Sequence, residues 1–196
     1  MIRIAVVGNI GSGKSYVAKQ FGFPVFSADN EVSKLYKKNR KCYKKLRRIL
    51  PQHINSFPIS KKKLSEAILS NTKNIKKITK IIHPEIQNKM KSFIKKNKKK
   101  KIIILDIPLL MENNINKRDD ILVFVDAPQK TINNKLRKRS NFNAKIVNKF
   151  KKLQLSVELK RKKSDYIIKN NFKSKSVKKN VKRILREILL NARSNT

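Results

Sequence analysis

The sequence lacks most of what would tie it to an oxidising or membrane setting. Its single cysteine, Cys42, excludes an intrachain disulfide and a cysteine-built metal cluster, because either needs partners the chain does not supply. No apolar run approaches the roughly 18 residues that cross a bilayer, and the first motif begins at Gly8, leaving no room for a signal peptide. A soluble, cytoplasmic protein with no membrane partner is expected. Tryptophan is absent, which removes a strong stacking side chain for single-stranded nucleic acid. Acid is scarce, with 12 Asp and Glu against 51 Lys and Arg, a formal net charge of +39. Such an imbalance suits an anionic partner. Lys is nevertheless spread through the whole chain beside Asn and Ile, the bias that drift in an AT-rich genome gives. Small polyanions, and no specific nucleic acid, are the expected partners, with a nucleic-acid-binding face as the alternative.

Glycine is nearly missing too, and its placement is informative. Of four glycines, three fall at Gly8, Gly11 and Gly13, followed at once by Lys14 and Ser15. The segment GNIGSGKS fits G-x-x-x-x-G-K-[ST]. Glycines let the backbone turn its N–H groups inward around an anion. A Lys at this position reaches phosphate oxygens, a Ser offers its hydroxyl to Mg²⁺, and the helix that starts here points its positive end at the ligand. The flanks agree: Ile2 to Val7 read as a strand buried on both faces, and Val17, Ala18 and Phe21 read as one face of a short helix.

Further along, Pro24 to Phe26 suggest a second strand ending in Ser27-Ala28-Asp29. Val32, Leu35 and Tyr36, then Tyr43, Leu46, Ile49 and Leu50, carry a helical period as far as Pro51. Residues 51–60, with Pro51 and Pro58, read as a loop. Leu64, Ala67 and Ile68 and then Ile75, Ile78 and Ile82 resume the helical period, His83-Pro84 interrupts it, and Ile86 to Ile94 take it up again. Residues 30–96 therefore read as a helical insertion. Lys95 to Lys101 read as a solvated turn. Strands return at Ile102 to Leu105, Ile121 to Val125 and Tyr166 to Ile168, and a helix closes the chain with Val177, Val181, Ile184 and Ile188. Strands alternating with helices predict an α/β fold with a parallel sheet.

In such a sheet ligands gather beyond the carboxyl ends of the strands. Asp29, Asp106 and Asp126 all stand there, on the edge that carries the glycine loop. Phosphoryl transfer asks mainly for positioning and charge neutralisation. Asp29 is placed to accept the proton of an acceptor hydroxyl, with a helix N-cap as its structural alternative. Asp106 is placed to hold Mg²⁺. Between Thr131 and Gln154, Lys135, Arg137, Lys138 and Arg139 suit a cationic lid over the transferring group.

GNIGSGKS, SAD at 27–29, HPEI at 83–86, DIPLLME at 106–112 and VDAP at 125–128, with Arg139, Gln154, Asp165 and Asn170, resemble the dephospho-CoA kinase family over nearly the whole chain. The resemblance implies a P-loop kinase fold: a nucleotide-binding core (1–29 and 97–196), a helical CoA-binding insertion (30–96) and a helical lid (128–160) within the core. It implies ATP-dependent phosphorylation of the ribose 3′-hydroxyl of dephospho-CoA, with ATP as co-substrate, Mg²⁺ as cofactor and a monomeric enzyme. Carried over by position, Gly8, Gly11, Ser12, Gly13, Lys14, Ser15 and Tyr16 bind ATP, with Asn170 near the adenine. Asp29 is the base, assisted by Lys14 and Arg139. His83, Pro84, Leu109, Leu110 and Glu112 border the acceptor, while Ser15 and Asp106 take the metal.

The match is imperfect. Asn9 stands where the family usually has glycine, Tyr16 replaces a common Thr, Ser27 replaces the first acid of D-A-D, and Lys61 and Lys135 replace arginines. Arg to Lys keeps charge but loses bidentate geometry. Two rival readings are a P-loop kinase of another small acceptor, such as a nucleoside monophosphate, and a nucleic-acid binder with a vestigial nucleotide site.

Overall fold

Residues 1–140 and 142–194 are described by a computed structural model. The chain runs β1 (Ile2–Gly8), α1 (Lys14–Gln20), β2 (Val25–Ser27), α2 (Ala28–Lys38), α3 (Arg40–Ile49), α4 (Lys61–Ser70) and α5 (Lys73–Lys96). It continues with β3 (Ile102–Asp106), β4 (Ile121–Asp126), α6 (Gln129–Arg137), α7 (Ala144–Lys151), α8 (Val157–Lys162), β5 (Tyr166–Lys169) and α9 (Ser174–Ser194). The described strands form a five-stranded parallel sheet in the order β2-β3-β1-β4-β5. β1 is central: Ile2 stands opposite Ile102 and Ala5 opposite Leu105 on one side, Ile4 opposite Ile121 and Gly8 opposite Val125 on the other. Ile102 to Leu105 are fully buried, as a strand covered on both faces must be.

The chain divides into two compact units, one of residues 1–26, 97–142 and 151–196, the other of 27–96 and 143–150. In the first, α1 lays Val17, Ala18 and Phe21 into a core with Ile4, Val6 and Ile104, and α9 contributes Val177, Val181, Ile184 and Ile188 at helical spacing. In the second, helices pack on one another through Leu35, Leu46, Ala67 and Ile78, with Ile146 and Phe150 of α7 against the same cluster. The stretch 128–160 is thus shared between the units rather than held within one.

Two helical expectations need correction. The period from Val32 to Leu50 is not one run, because Asn39 ends α2 and starts α3, its side chain accepting the Cys42 N–H at 2.8 Å. Pro84, in turn, does not break α5, which continues for 24 residues. Pro84 and Lys80 both lie on the exposed face, where water can take the Lys80 carbonyl that the proline leaves without its usual N–H partner. The sequence also extends the 95–101 turn too early, since Lys95 and Lys96 complete α5.

Candidate active site

The glycine loop joins β1 to α1, and its conformation needs glycine. Gly13 is the N-cap of α1 with φ +89°, and a Cβ there would lie 2.4 Å from Asn170 Nδ2. Gly11, at φ +84°, is covered by α6, so that a Cβ would meet Ile132 and Leu136 at 2.9 Å. Lys14 lies folded along its own loop, its Nζ donating to the carbonyls of Gly8 (3.1 Å) and Asn9 (2.9 Å). Ser12 is buried and Ser15 exposed at the start of α1. A loop of this shape, opening a helix with Lys and Ser behind it, holds phosphate through backbone N–H groups and the helix dipole.

Two side chains fasten that loop from the C-terminal third of the chain. Asn170, 1% exposed, donates from Nδ2 to the Ser12 carbonyl (2.7 Å) and accepts the Phe172 N–H on Oδ1 (2.8 Å). Its amide is spent on the loop itself. Gln154 Oε1 accepts the Ile10 N–H at 3.2 Å. Tyr16 is 40% exposed, and its hydroxyl donates to Ser174 Oγ at 2.7 Å.

Each acid stands at or just beyond the end of a strand, with different partners. Asp106 ends β3, is 4% exposed, and enters no ion pair among the described residues. Asp126 ends β4 and pairs with Arg161 (2.6 Å). Asp29 is in the first turn of α2, not at its N-cap, which is Ser27. Its carbonyl accepts from Ser33 Oγ (2.8 Å), and its exposed carboxylate stands at the helix end that favours an anion. Ser15 and Asp106 offer hard oxygens. Among the described residues no group of three or more His, Cys, Asp and Glu gathers that could cage a metal. A small hard cation, which keeps water and phosphate ligands, suits that donor set.

Arg139 is exposed in the turn after α6, held by backbone bonds to Leu136 and Phe142. Lys135 lies over the Phe172 ring, 4.9 Å from its centre. Leu110 is buried, whereas Leu109 takes φ +55° in a turn whose carbonyl accepts both Asn113 N–H groups, backbone at 3.0 Å and side chain at 2.9 Å. Glu112 is not open to solvent: its Oε1 accepts from Lys160 Nζ (2.9 Å) and from the Leu155 N–H (3.0 Å). His83, half-buried, and Pro84, exposed, lie on α5 in the helical unit. Lys61 of the same unit donates to Ser33 Oγ (2.8 Å). Cys42 is a packing thiol, its pKa pushed up to about 11 by burial and by the charge of Glu85, against the opposing effect of Lys45.

Sequence reasoning missed Lys160. It is 2% exposed and, with Gly8, Lys14, Leu110, Glu112 and Gln154, lines a small cavity under the loop. Its type gave no warning, since one lysine in ELKRKKSD looks like any other in a chain with 51 cations.

A family model described as dephospho-CoA kinase matches residues 2–176. The dephospho-CoA kinase of Wolbachia pipientis wMel is 34% identical over 193 residues, covering 96% of this chain and 98% of that protein. That of Fusobacterium nucleatum is 33% identical, covering 94% and 97%. Among solved structures, a Thermus thermophilus protein superposes with a TM-score of 0.75 at 25% identity, covering 95% of this chain and 97% of its own. The dephospho-CoA kinase of Campylobacter jejuni superposes with a TM-score of 0.62 at 22% identity, covering 95% and 96%, a likeness of fold.

Proposed function

The chain belongs to the dephospho-CoA kinase family and phosphorylates dephospho-CoA in the final step of coenzyme A biosynthesis, and from that premise we propose how its residues divide the work. ATP is the co-substrate, and its γ-phosphoryl passes to the ribose 3′-hydroxyl, leaving ADP and coenzyme A. The observation that carries this reading is the glycine loop, whose positive-φ glycines and folded-back Lys14 form a phosphate cradle at the head of α1.

Lys14 exchanges its two loop carbonyls for phosphate oxygens once ATP is bound, supplying a fixed positive charge where negative charge shifts during transfer. Ser15 and Asp106 would hold Mg²⁺, which neutralises phosphate charge and helps align the in-line displacement. Asp29 takes the proton of the acceptor hydroxyl; its support is its place two residues beyond the end of β2 and its exposed carboxylate. Arg139 offers a guanidinium for bidentate phosphate contact. Asn170 serves nucleotide binding through the loop that it braces. The unit of residues 27–96 and 143–150 carries the acceptor site with His83 and Pro84, and Leu109, Leu110 and Glu112 shape the turn after β3. One chain supplies every residue named, so a monomer suffices, and the cytoplasm is where ATP is available to it. No helix among the described residues is long and apolar enough to cross a membrane.

The test is a coupled ADP-release assay with ATP and a panel of acceptors. Turnover is expected with dephospho-CoA and Mg²⁺ and is lost when the metal is chelated. Turnover of a nucleoside monophosphate in place of dephospho-CoA would overturn the proposal, and activity undiminished by chelation would remove Ser15 and Asp106 from their metal role.

A further inference from the structure

We infer that Lys160 and Gln154 are positioning residues for the phosphate loop, acting as one brace through Glu112. The inference rests on the reading of the loop as the ATP site. Lys160 is nearly devoid of solvent, and its ammonium meets a single carboxylate oxygen, Glu112 Oε1, at 2.9 Å. That same oxygen accepts the N–H of Leu155 at 3.0 Å. Glu112 thereby fixes the peptide next to Gln154, whose Oε1 takes the Ile10 N–H at 3.2 Å. Ile10 is the third residue of GNIGSGKS, between the carbonyls that Lys14 engages and the left-handed Gly11. Gly8, Lys14, Glu112, Gln154 and Lys160 line one small cavity, so the brace adjoins the loop it holds.

The physical case turns on burial. A buried ion pair replaced by apolar groups is often neutral or stabilising, so stability alone is a poor reason for a lysine here. A charged hydrogen bond is, by contrast, directional, and here two donors converge on one acceptor oxygen. The geometry sets where the 154–155 peptide sits, and Gln154 passes that position to the loop. Bound phosphate then meets a loop already in place, which saves the cost of ordering it.

Four variants and their ADP and ATP affinities, measured by calorimetry without acceptor, test the brace separately from the identity of the acceptor. Gln154→Leu keeps the half-buried apolar stem and removes the amide whose Oε1 accepts the Ile10 N–H. Nucleotide affinity is expected to fall roughly 5- to 10-fold, the share of one hydrogen bond, with the thermal midpoint and the KM for dephospho-CoA little changed. Lys160→Met is expected to fall in the same direction, and Lys160→Arg to retain more affinity than Lys160→Met. In the double variant Lys160→Met/Gln154→Leu the losses are expected to fall short of additive, because both act on one contact. Unchanged nucleotide affinity in Gln154→Leu would overturn the inference, as would fully additive losses. Should Lys160→Met fail to fold, Gln154→Leu decides by itself.

Discussion

Asp29 is one residue whose two readings lead to opposite experiments. As a first-turn acid it stabilises α2 by a few tenths of a kcal/mol at the dipole; as a base it carries a proton during transfer. Asp29→Asn is therefore expected to leave ATP affinity and thermal midpoint near the parent values while kcat falls roughly 10²- to 10⁴-fold. Steady-state kinetics beside ATP titration checks this, and an unchanged kcat would reassign the base. At this scale much of the candidate site was legible, because GNIGSGKS names a shape as well as a set of atoms. The positive φ of Gly11 and Gly13 is what a loop wrapped around phosphate demands. Lys160 was not legible, since nothing local distinguishes a buried lysine from its exposed neighbours in a lysine-rich stretch. Glu112 was legible as a residue of DIPLLME, but its partners lie 43 and 48 positions away and could be seen only when folded.

Among the elements, the strands were the easiest to read. Ile102 to Leu105 and Ile121 to Val125 are apolar without alternation, which suits strands covered on both faces, and the structure has them there. The helical insertion was harder. Apolar spacing from Val32 to Leu50 carries no mark of the break at Asn39, where a side-chain hydrogen bond outweighs continuation of the period. Asn39→Ala is expected to cost about 1 kcal/mol, the usual loss for an N-cap, seen as a fall of a few degrees in thermal midpoint with nucleotide affinity kept. No loss of stability would mean that packing of Leu35 and Leu46, rather than the cap, sets the junction. Pro84 erred in the other direction. Proline biases against helix locally, yet Ile75, Ile78 and Ile82 are buried in the cluster that α5 shares with its neighbours, and that burial outweighs one missing backbone bond.

Across the whole molecule, charge is the property that sets it apart. With +39 on 196 residues and few acids to answer it, the folded chain repels itself. The ion pairs do little to relieve this, because Lys34–Glu31, Lys63–Glu66 and Arg183–Glu187 are exposed and worth little each. Added salt shortens the screening length from about 30 Å at 0.01 M to about 3 Å at 1 M. The thermal midpoint is therefore expected to rise by several degrees between 0.01 and 0.5 M KCl. A midpoint that stayed flat or fell would show that favourable charge contacts outweigh the repulsion.

The sequence alone determined the α/β class, the phosphate loop, the acids near the strand ends and, through HPEI and DIPLLME, the family. These are local: a glycine spacing, an apolar run and a short motif each carry their physics within a few residues. Only the tertiary structure decided what acts at a distance. It set Asn170 and Gln154 against the loop, paired Asp126 with Arg161, buried Lys160 on Glu112, and grouped residues 143–150 with the helical unit. The reason is that hydrogen bonds and ion pairs depend on distance in space, whereas one lysine or glutamine in a sequence gives no sign of which distant atom it will meet.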